Sequence, residues 1–176
     1  MESLEALYLD NYAKVFSFIY NITNDRALAE DITQEVFIKA YKSIDSFRGE
    51  AKLSVWMNKI AYNLFLDYKR KKSSYLLSID DEVLVTKLAD WKNNLSKEIE
   101  KKIMSECIQS KVHQLSQNYR APLFLDSQGY SNQEIASVLN CSLDNAKIRL
   151  HRARKKMKEI LGNDCSFYYD ERNVFC

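Results

Sequence analysis

The sequence predicts an all-α protein with two small helical domains joined by a flexible linker. Three glycines and one proline in 176 residues leave few turn-forming residues, which disfavours sandwiches, barrels and glycine-rich phosphate loops. Apolar residues recur at helical spacing in both halves of the chain. The length suits one large domain or two small ones, and 46% hydrophobic with 28% charged residues is typical of a folded globular protein.

Two helices are expected at the beginning of the first domain, which covers residues 1–75. A stripe of apolar residues predicts a helix from Leu4 to about Tyr20. Asn24 or Asp25 can cap a second helix that reaches about Ser43, and apolar residues at helical spacing form one face of that helix. Its opposite face carries Asp31, Gln34, Glu35 and Ile38.

A loop and a third helix are expected to complete this domain. Residues 46–52 contain one of the three glycines and are predicted to form the loop. Ser54 is a suitable N-cap for a helix from Val55 to Lys72. The helix ends in the basic run Lys69–Lys72, which either complements the helix dipole or contacts nucleic acid.

Residues 76–102 lose clear periodicity and are predicted to form the linker. Helical periodicity resumes from about Ile99 to Leu115, at the start of a second domain that covers residues 103–163. The next helix is predicted over Ala121–Gln128, with Pro122 in its first turn and Gly129 just after its end.

The second domain ends in a predicted helix-turn-helix. Ser131–Glu134 fits a capping box that begins a short helix through about Leu139, and Ser142 caps a longer helix to about Leu161. Residues 142–158 hold seven Lys or Arg against one Asp. The residues on the outward arc of this helix or beside it are Lys147, Ile148, Arg149, His151, Arg152, Arg154 and Lys155.

A solvated basic face would explain the charges of this helix without any ligand. It does not explain Ile148 at the centre of the exposed arc, where an apolar side chain suits a thymine methyl group in the major groove. The capping box, the short turn and the basic arc together predict DNA binding.

No arrangement of residues predicts catalysis, a metal site, a cofactor or a small-molecule substrate. His113 and His151 lack ligand spacing, and His113 is expected to be an ordinary residue on a helix surface. No serine or cysteine has the context of a nucleophile. The four cysteines lie far apart, which disfavours a disulfide framework and paired metal ligands, and Cys107 and Cys141 are expected to be buried reduced thiols. Without an export signal or a membrane span, the chain is expected to be cytoplasmic, with no membrane insertion.

Several motifs resemble the extracytoplasmic-function (ECF) family of bacterial RNA polymerase sigma factors. Leu28–Phe37 (LAEDITQEVF), Phe47–Glu50 (FRGE), Trp56 and Ile60–Asp67 resemble the family's promoter −10 domain. Glu134-Ile135-Ala136 and Leu150–Arg154 (LHRAR) resemble its −35-binding domain. The resemblance covers about residues 4–72 and 103–161, with both domains in the family's order.

The resemblance implies a factor that directs RNA polymerase to specific promoters and assists promoter melting, often in stress responses. Its partners would be promoter DNA, an anti-sigma factor and the polymerase core, through the largest subunit's clamp helices and the flap region. Asp31, Gln34, Glu35 and Ile38 would bind the clamp helices. The −10 element would contact Phe47, Arg48, Gly49, Trp56, Lys59, Tyr62, Asn63 and Arg70, where aromatic rings and amides can hold an unstacked base. Trp56 and Tyr62 could equally belong to the apolar core. The −35 element would contact the seven outward residues of the last helix.

Two features of the chain depart from the family pattern or extend it. Asn145-Ala146 replaces a Gly-Thr-Val-like stretch, and Ile148 stands where a serine is common, so the base preference at the −35 element does not follow from the resemblance. The tail after Asp164 is bracketed by Cys165 and Cys176, and it either packs back on the domain or has a redox or metal-sensing role.

Two alternatives to the sigma-factor interpretation remain at this stage. One is a two-domain helix-turn-helix regulator that acts without docking on polymerase and uses its first domain to dimerise. The other is an interaction protein that mimics a sigma factor and sequesters its inhibitor.

Overall fold

The computed structural model describes residues 4–49, 51–76 and 108–164, and the regular secondary structure in these ranges is entirely helical. The all-α prediction with a terminal helix-turn-helix is confirmed. The predicted linker lies outside the described residues except for Leu76, and so does the tail from Cys165 to Cys176. The helices are α1 (Leu4–Thr23), α2 (Arg26–Ser43), a 3-10 helix (Ile44–Ser46), α3 (Leu53–Leu76), α4 (helical over 108–114), α5 (Gln117–Ser127), α6 (Asn132–Val138) and α7 (Leu143–Asp164).

Helices α1 to α3 form the first domain around a shared apolar core. The Asp25 carboxylate accepts a hydrogen bond from the backbone N–H of Leu28 at 3.0 Å, so Asp25 rather than Asn24 is the N-cap of α2. Because the apolar residues of α2 recur at helical spacing, they form one face, and that face packs against α1 and α3. The core side chains include Val15, Phe18, Ile19, Ala29, Val36, Val55 and Met57.

The boundaries of α3 differ from those predicted. The carbonyl of Lys52 accepts hydrogen bonds from the N–H groups of Val55 and Trp56, so the helix begins at Leu53 and Ser54 lies inside its first turn rather than capping it. The helix continues to Leu76. The basic run Lys69–Lys72 therefore lies before the last turn, which weakens the helix-dipole explanation of those charges.

Helix α5 begins four residues earlier than predicted. Ser116 is its N-cap residue, and the Ser116 carbonyl accepts from the N–H groups of Tyr119 and Arg120. Pro122 consequently lies in the helix interior rather than in the first turn. Pro122 cannot donate to the preceding turn, but it is buried in the core, and that packing offsets the missing hydrogen bond. Gly129 follows the helix with φ +79°, as expected of a residue just after a helix end.

The capping interactions that the sequence predicts for the helix-turn-helix are present in the structure. Ser131 Oγ accepts from the N–H of Glu134 at 3.2 Å, and Glu134 Oε2 accepts from the N–H of Ser131 at 2.7 Å, which completes the capping box. Ser142 Oγ accepts from the N–H of Asn145 at 3.2 Å at the start of α7. Between the two helices, Asn140 takes a positive φ of 50°, a conformation that asparagine tolerates better than most residues.

The two domains pack against each other, α1 on α5 and α3 on α6. The rings of Phe18 in α1 and Phe124 in α5 lie 6.2 Å apart, and the core of the first domain continues into that of the second. The position of the second domain is therefore set by tertiary contacts as well as by the covalent connection.

Candidate nucleic-acid interface

Helix α2 presents an acidic face with an exposed apolar residue. Asp31, Gln34 and Glu35 are exposed, as predicted, and Ile38 is 55% exposed. The intervening Val36 and Phe37 are buried, so the helical period separates this face from the core. Glu35 is paired within the helix to Lys39 at 3.4 Å, an exposed contact that an approaching charge can replace.

Tyr41 extends this face and is absent from the predicted set. It lies one turn after Ile38 and is 61% exposed, so two large side chains with apolar surface stand together in solvent. The signal was present in the sequence, since Tyr41 is three residues after Ile38 and neighbours on a helix surface are three or four residues apart.

The loop before α3 and the first turn of that helix form a small aromatic site. The rings of Phe47 and Trp56 lie 5.3 Å apart at an angle of 43°. Arg48 and Gly49 are exposed, and Gly49 takes a φ of +71°. A cavity of about 250 Å³ opens here, lined by Ser46, Phe47, Arg48, Ala51, Val55, Trp56, Lys59 and Ser137.

The remaining predicted −10 residues lie farther along α3, in differing environments. Lys59 is half-buried, whereas Tyr62 is only 6% exposed and packs near the rings of Phe18 and Phe65. Burial raises the pKa of the Tyr62 hydroxyl, an effect that the positive charge of Arg149 partly opposes. Asn63 is exposed, and Arg70 is exposed and pairs with Asp67.

Helix α7 has a buried seam and an exposed basic arc. Ala146, Leu150 and Ala153 are buried. Ile148 lies opposite them and is 51% exposed, as the sequence predicted. The exposed residues around Ile148 are Lys147, His151, Arg152, Arg154 and Lys155.

Two arginines of α7 are already engaged within the chain. Arg149 is half-buried, and its Nε donates to Asn145 Oδ1 at 2.8 Å. Arg154 Nη2 contacts both carboxylate oxygens of Asp126, at 2.8 and 2.7 Å. A DNA phosphate would compete with Asp126 for Arg154, whereas Arg152 is exposed on the outer face of the helix.

His113 is a half-buried structural residue rather than the surface residue that we expected. Its Nδ1 accepts a hydrogen bond from Arg120 Nη1 at 2.8 Å. Burial lowers the pKa of the imidazole, and the positive charge of Arg120 lowers it further. Across the residues that the structure describes, no group of three or more His, Cys, Asp or Glu side chains could hold a metal ion. None of the helices in those ranges has the length and apolarity that a bilayer crossing requires.

Family models match both halves of the chain. The model described as Sigma-70 region 2 matches residues 7–75, and that described as Sigma-70, region 4 matches residues 105–157. The chain shares its fold with a solved sigma factor RpoE in complex with the anti-sigma factor NepR from Bartonella quintana. That likeness has a TM-score of 0.76 and 22% identity, and it covers 93% of this chain and 99% of the other. A solved CnrH in complex with the cytosolic domain of CnrY matches with a TM-score of 0.62 and 18% identity, over 92% of this chain and 88% of the other.

Sequence relatives extend over nearly the whole chain. The ECF RNA polymerase sigma factor SigW of Bacillus subtilis strain 168 is 32% identical, with 84% of this chain and 83% of the relative covered. RNA polymerase sigma factor SigZ of the same organism is 30% identical over 96% and 92% of the two chains. Both domains therefore match in order, and a regulator that acts without polymerase is not favoured. The chain belongs to the ECF family of RNA polymerase sigma factors, which direct RNA polymerase to specific promoters.

Proposed function

We propose that three separate surfaces of this chain perform promoter recognition. The α2 face binds the polymerase core, the Phe47 loop with α3 binds the opened −10 element, and α7 binds the −35 element. The observation that carries the proposal is the half-exposed Ile38 within the acidic α2 face, since an apolar side chain held in solvent among carboxylates suits a partner helix better than water.

The α2 face is suited to a basic helical partner. Asp31 and Glu35 supply negative charge at its rim, and Ile38 with Tyr41 supplies the apolar surface that such a contact would bury. The clamp helices of the polymerase's largest subunit are the proposed partner, with a second contact between the −35 domain and the flap region.

The Phe47 loop and α3 are suited to unpaired DNA. The ring pair of Phe47 and Trp56 offers a surface on which an extruded base can stack. Arg48, Lys59 and Arg70 can hold the strand backbone, and the Asn63 amide can bond to a base edge.

Helix α7 is suited to the major groove. Its exposed arc combines Arg152 and His151, which can hydrogen-bond to base edges, with Ile148, which can contact a thymine methyl group. Lys147, Arg149, Arg154 and Lys155 lie where they can bind phosphates on either side.

The factor itself is proposed to have no catalytic activity and to act in the cytoplasm, where polymerase and promoters are found. An anti-sigma factor is a proposed partner, because the similar RpoE was solved in complex with the anti-sigma factor NepR.

Transcription by a reconstituted holoenzyme tests the proposal. The chain is added to core RNA polymerase and a library of genomic fragments, and run-off transcripts are sequenced. A shared −35 and −10 pattern upstream of the new start sites is expected. Asp31→Lys/Glu35→Lys should lose core binding, Trp56→Ala should lose opening, and Arg152→Ala should change the −35 pattern. If all three variants gave the wild-type transcripts, the surface assignments would be wrong.

A further inference from the structure

Asn145 is an exposed residue of α7 that the predicted −35 set does not include. It lies in the first turn of the helix, three residues before Ile148 and seven before Arg152. Residues at these separations share one face of a helix, so Asn145 continues the exposed arc toward the beginning of α7. In a helix-turn-helix, the N-terminal residues of the second helix contact base edges. Asn145 is therefore placed where a base edge in the major groove would lie.

The backbone of Asn145 is fixed by the cap of α7. Its N–H donates to Ser142 Oγ at 3.2 Å, and the next N–H along the chain, that of Ala146, donates to the Ser142 carbonyl at 3.0 Å. Ala146 is buried against the core of the domain. The cap and this burial together turn the side chain of Asn145 away from the core and into solvent.

Arg149 holds the amide of Asn145 in one orientation. Arg149 Nε donates to Asn145 Oδ1 at 2.8 Å. A guanidinium has hydrogen-bond donors only, so the amide must turn its oxygen toward Arg149 and its nitrogen away. The bond joins two residues four positions apart in one helix, and it is therefore independent of how the two domains are arranged.

The orientation of the amide changes the base that Asn145 recognises. An asparagine with both amide atoms available pairs with adenine, because its oxygen accepts from N6 and its nitrogen donates to N7. With Oδ1 bonded to Arg149, Asn145 presents the two hydrogens of Nδ2, which require acceptors. Guanine carries two acceptors, O6 and N7, on its major-groove edge, whereas adenine places a donor beside N7 and cytosine presents a donor. Guanine therefore fits the held amide best.

We propose that Asn145 is a specificity-determining residue that selects guanine at one position of the −35 element, and that Arg149 is the positioning residue that holds its amide. This role rests on the assignment of α7 to the −35 element made under Proposed function. The contact with Asn145 uses Nε of Arg149, so the same side chain can bind a phosphate through its Nη groups.

Helix geometry also predicts where the guanine lies. Asn145 and Arg152 are seven residues apart, which is about 10 Å along the helix axis. Successive base pairs are about 3.4 Å apart, so the two residues should read positions about three base pairs from each other.

Selection of promoters by the holoenzyme tests the role of Asn145. The full chain with core polymerase is incubated with promoters that carry a randomised −35 region, and the bound DNA is sequenced. Asn145→Ala should lose the guanine preference by about fivefold or more at one position and keep the others. The matched control is Asn132→Ala, which removes an exposed asparagine from the first turn of α6 and should keep the wild-type pattern. An equal loss at every position would overturn the proposal, because a merely structural residue affects all sequences alike.

Arg149→Ala tests whether the guanidinium sets the base preference. Without Arg149, Asn145 Oδ1 can accept from a base, and the preferred base at the same position should change from guanine to adenine. Loss of a phosphate contact would lower the affinity for every sequence and leave the order of the four bases unchanged. A guanine preference that persists in this variant would overturn the proposal.

A modified base tests the contact itself on one selected promoter. In 7-deazaguanine a C–H group replaces N7, so the wild-type holoenzyme should bind the modified promoter several-fold more weakly, and Asn145→Ala should bind both promoters equally. A loss of the same size in both proteins would overturn the proposal.

A wrong −35 assignment would give a different result from a wrong role for Asn145. If α7 does not read the −35 element, Arg152→Ala and Asn145→Ala both leave the selected pattern unchanged. If only the role of Asn145 is wrong, Arg152→Ala removes the preference at its own position and Asn145→Ala removes none.

Discussion

The side-chain amides of Asn140 and Asn63 are hydrogen-bonded across 2.6 Å, although 77 residues separate them in the chain. Asn140 forms the turn of the helix-turn-helix, and Asn63 lies on the helix assigned to the −10 element. The two domains of the factor thus meet through polar side chains that lie far apart in the sequence.

Charge reversal on α2 should abolish polymerase binding without unfolding the chain. Asp31→Lys with Glu35→Lys changes two exposed residues, so the free energy of unfolding should change by no more than about 1 kcal/mol. Core polymerase binding, measured by co-elution and by anisotropy, should fall sharply because like charges would face a basic partner. Asp45→Lys, an exposed reversal outside this face, is the control. Wild-type affinity in the double variant would contradict the assignment.

Removal of the ring pair at the −10 site should impair strand opening. Phe47→Ala and Trp56→Ala each remove one member of a contact whose centroids are 5.3 Å apart, and with it a stacking surface worth about 1–3 kcal/mol per base. Permanganate reactivity of unpaired thymines should fall in the holoenzyme, while binding to duplex −35 DNA should stay at the wild-type level. Normal footprints from both variants would indicate that other residues hold the opened strand.

Replacing Arg152 should lower the affinity for the cognate DNA sequence alone, whereas replacing Arg154 should lower the affinity for every sequence. Arg152→Ala should cost about 1–3 kcal/mol on the cognate −35 element and little on other sequences, because Arg152 faces outward on α7. Arg154→Ala should weaken binding to all sequences alike and lower the log–log salt slope by about 1, as loss of a phosphate contact does. Anisotropy on single-base variants at several salt concentrations measures both. A uniform loss from Arg152→Ala would identify it as a backbone contact.

The capping box should contribute measurably to the stability of the −35 domain. Ser131→Ala removes the acceptor for the Glu134 N–H and should lower the free energy of unfolding by about 0.5–2 kcal/mol. Ser137→Ala, an exposed substitution inside the same helix, should be neutral or slightly stabilising. Urea denaturation followed by circular dichroism compares the two. Equal midpoints for the two variants would show that the cap contributes nothing.

His113 should make the −35 domain less stable in mild acid. Its pKa in the folded chain lies below the ordinary value of 6.5, so the unfolded chain binds the proton more readily. Stability should therefore fall as the pH drops below about 6.5 and level off below the folded-state pKa. His113→Gln should reduce the difference between urea midpoints at pH 7.5 and pH 5.5. The same difference in both proteins would exclude His113 as its source.

Local sequence determined most of the helices and the exposed faces of this chain. Asp25, Ser131 and Ser142 act as caps through contacts within three residues, which a sequence displays directly. The exposure of Ile38 and Ile148 followed from helical periodicity, because the buried positions on each helix fix which residues lie opposite. These residues all lie within the ranges that the two family models match.

The tertiary structure alone decided where α5 begins and how the two domains meet. Pro122 suggested a helix start, but burial of the surrounding residues outweighed the hydrogen bond that proline lacks. The burial of Asn58 against Tyr130 joins residues 72 positions apart. No periodicity or cap encodes such a pair, because the pair depends on the relative placement of two independently formed surfaces.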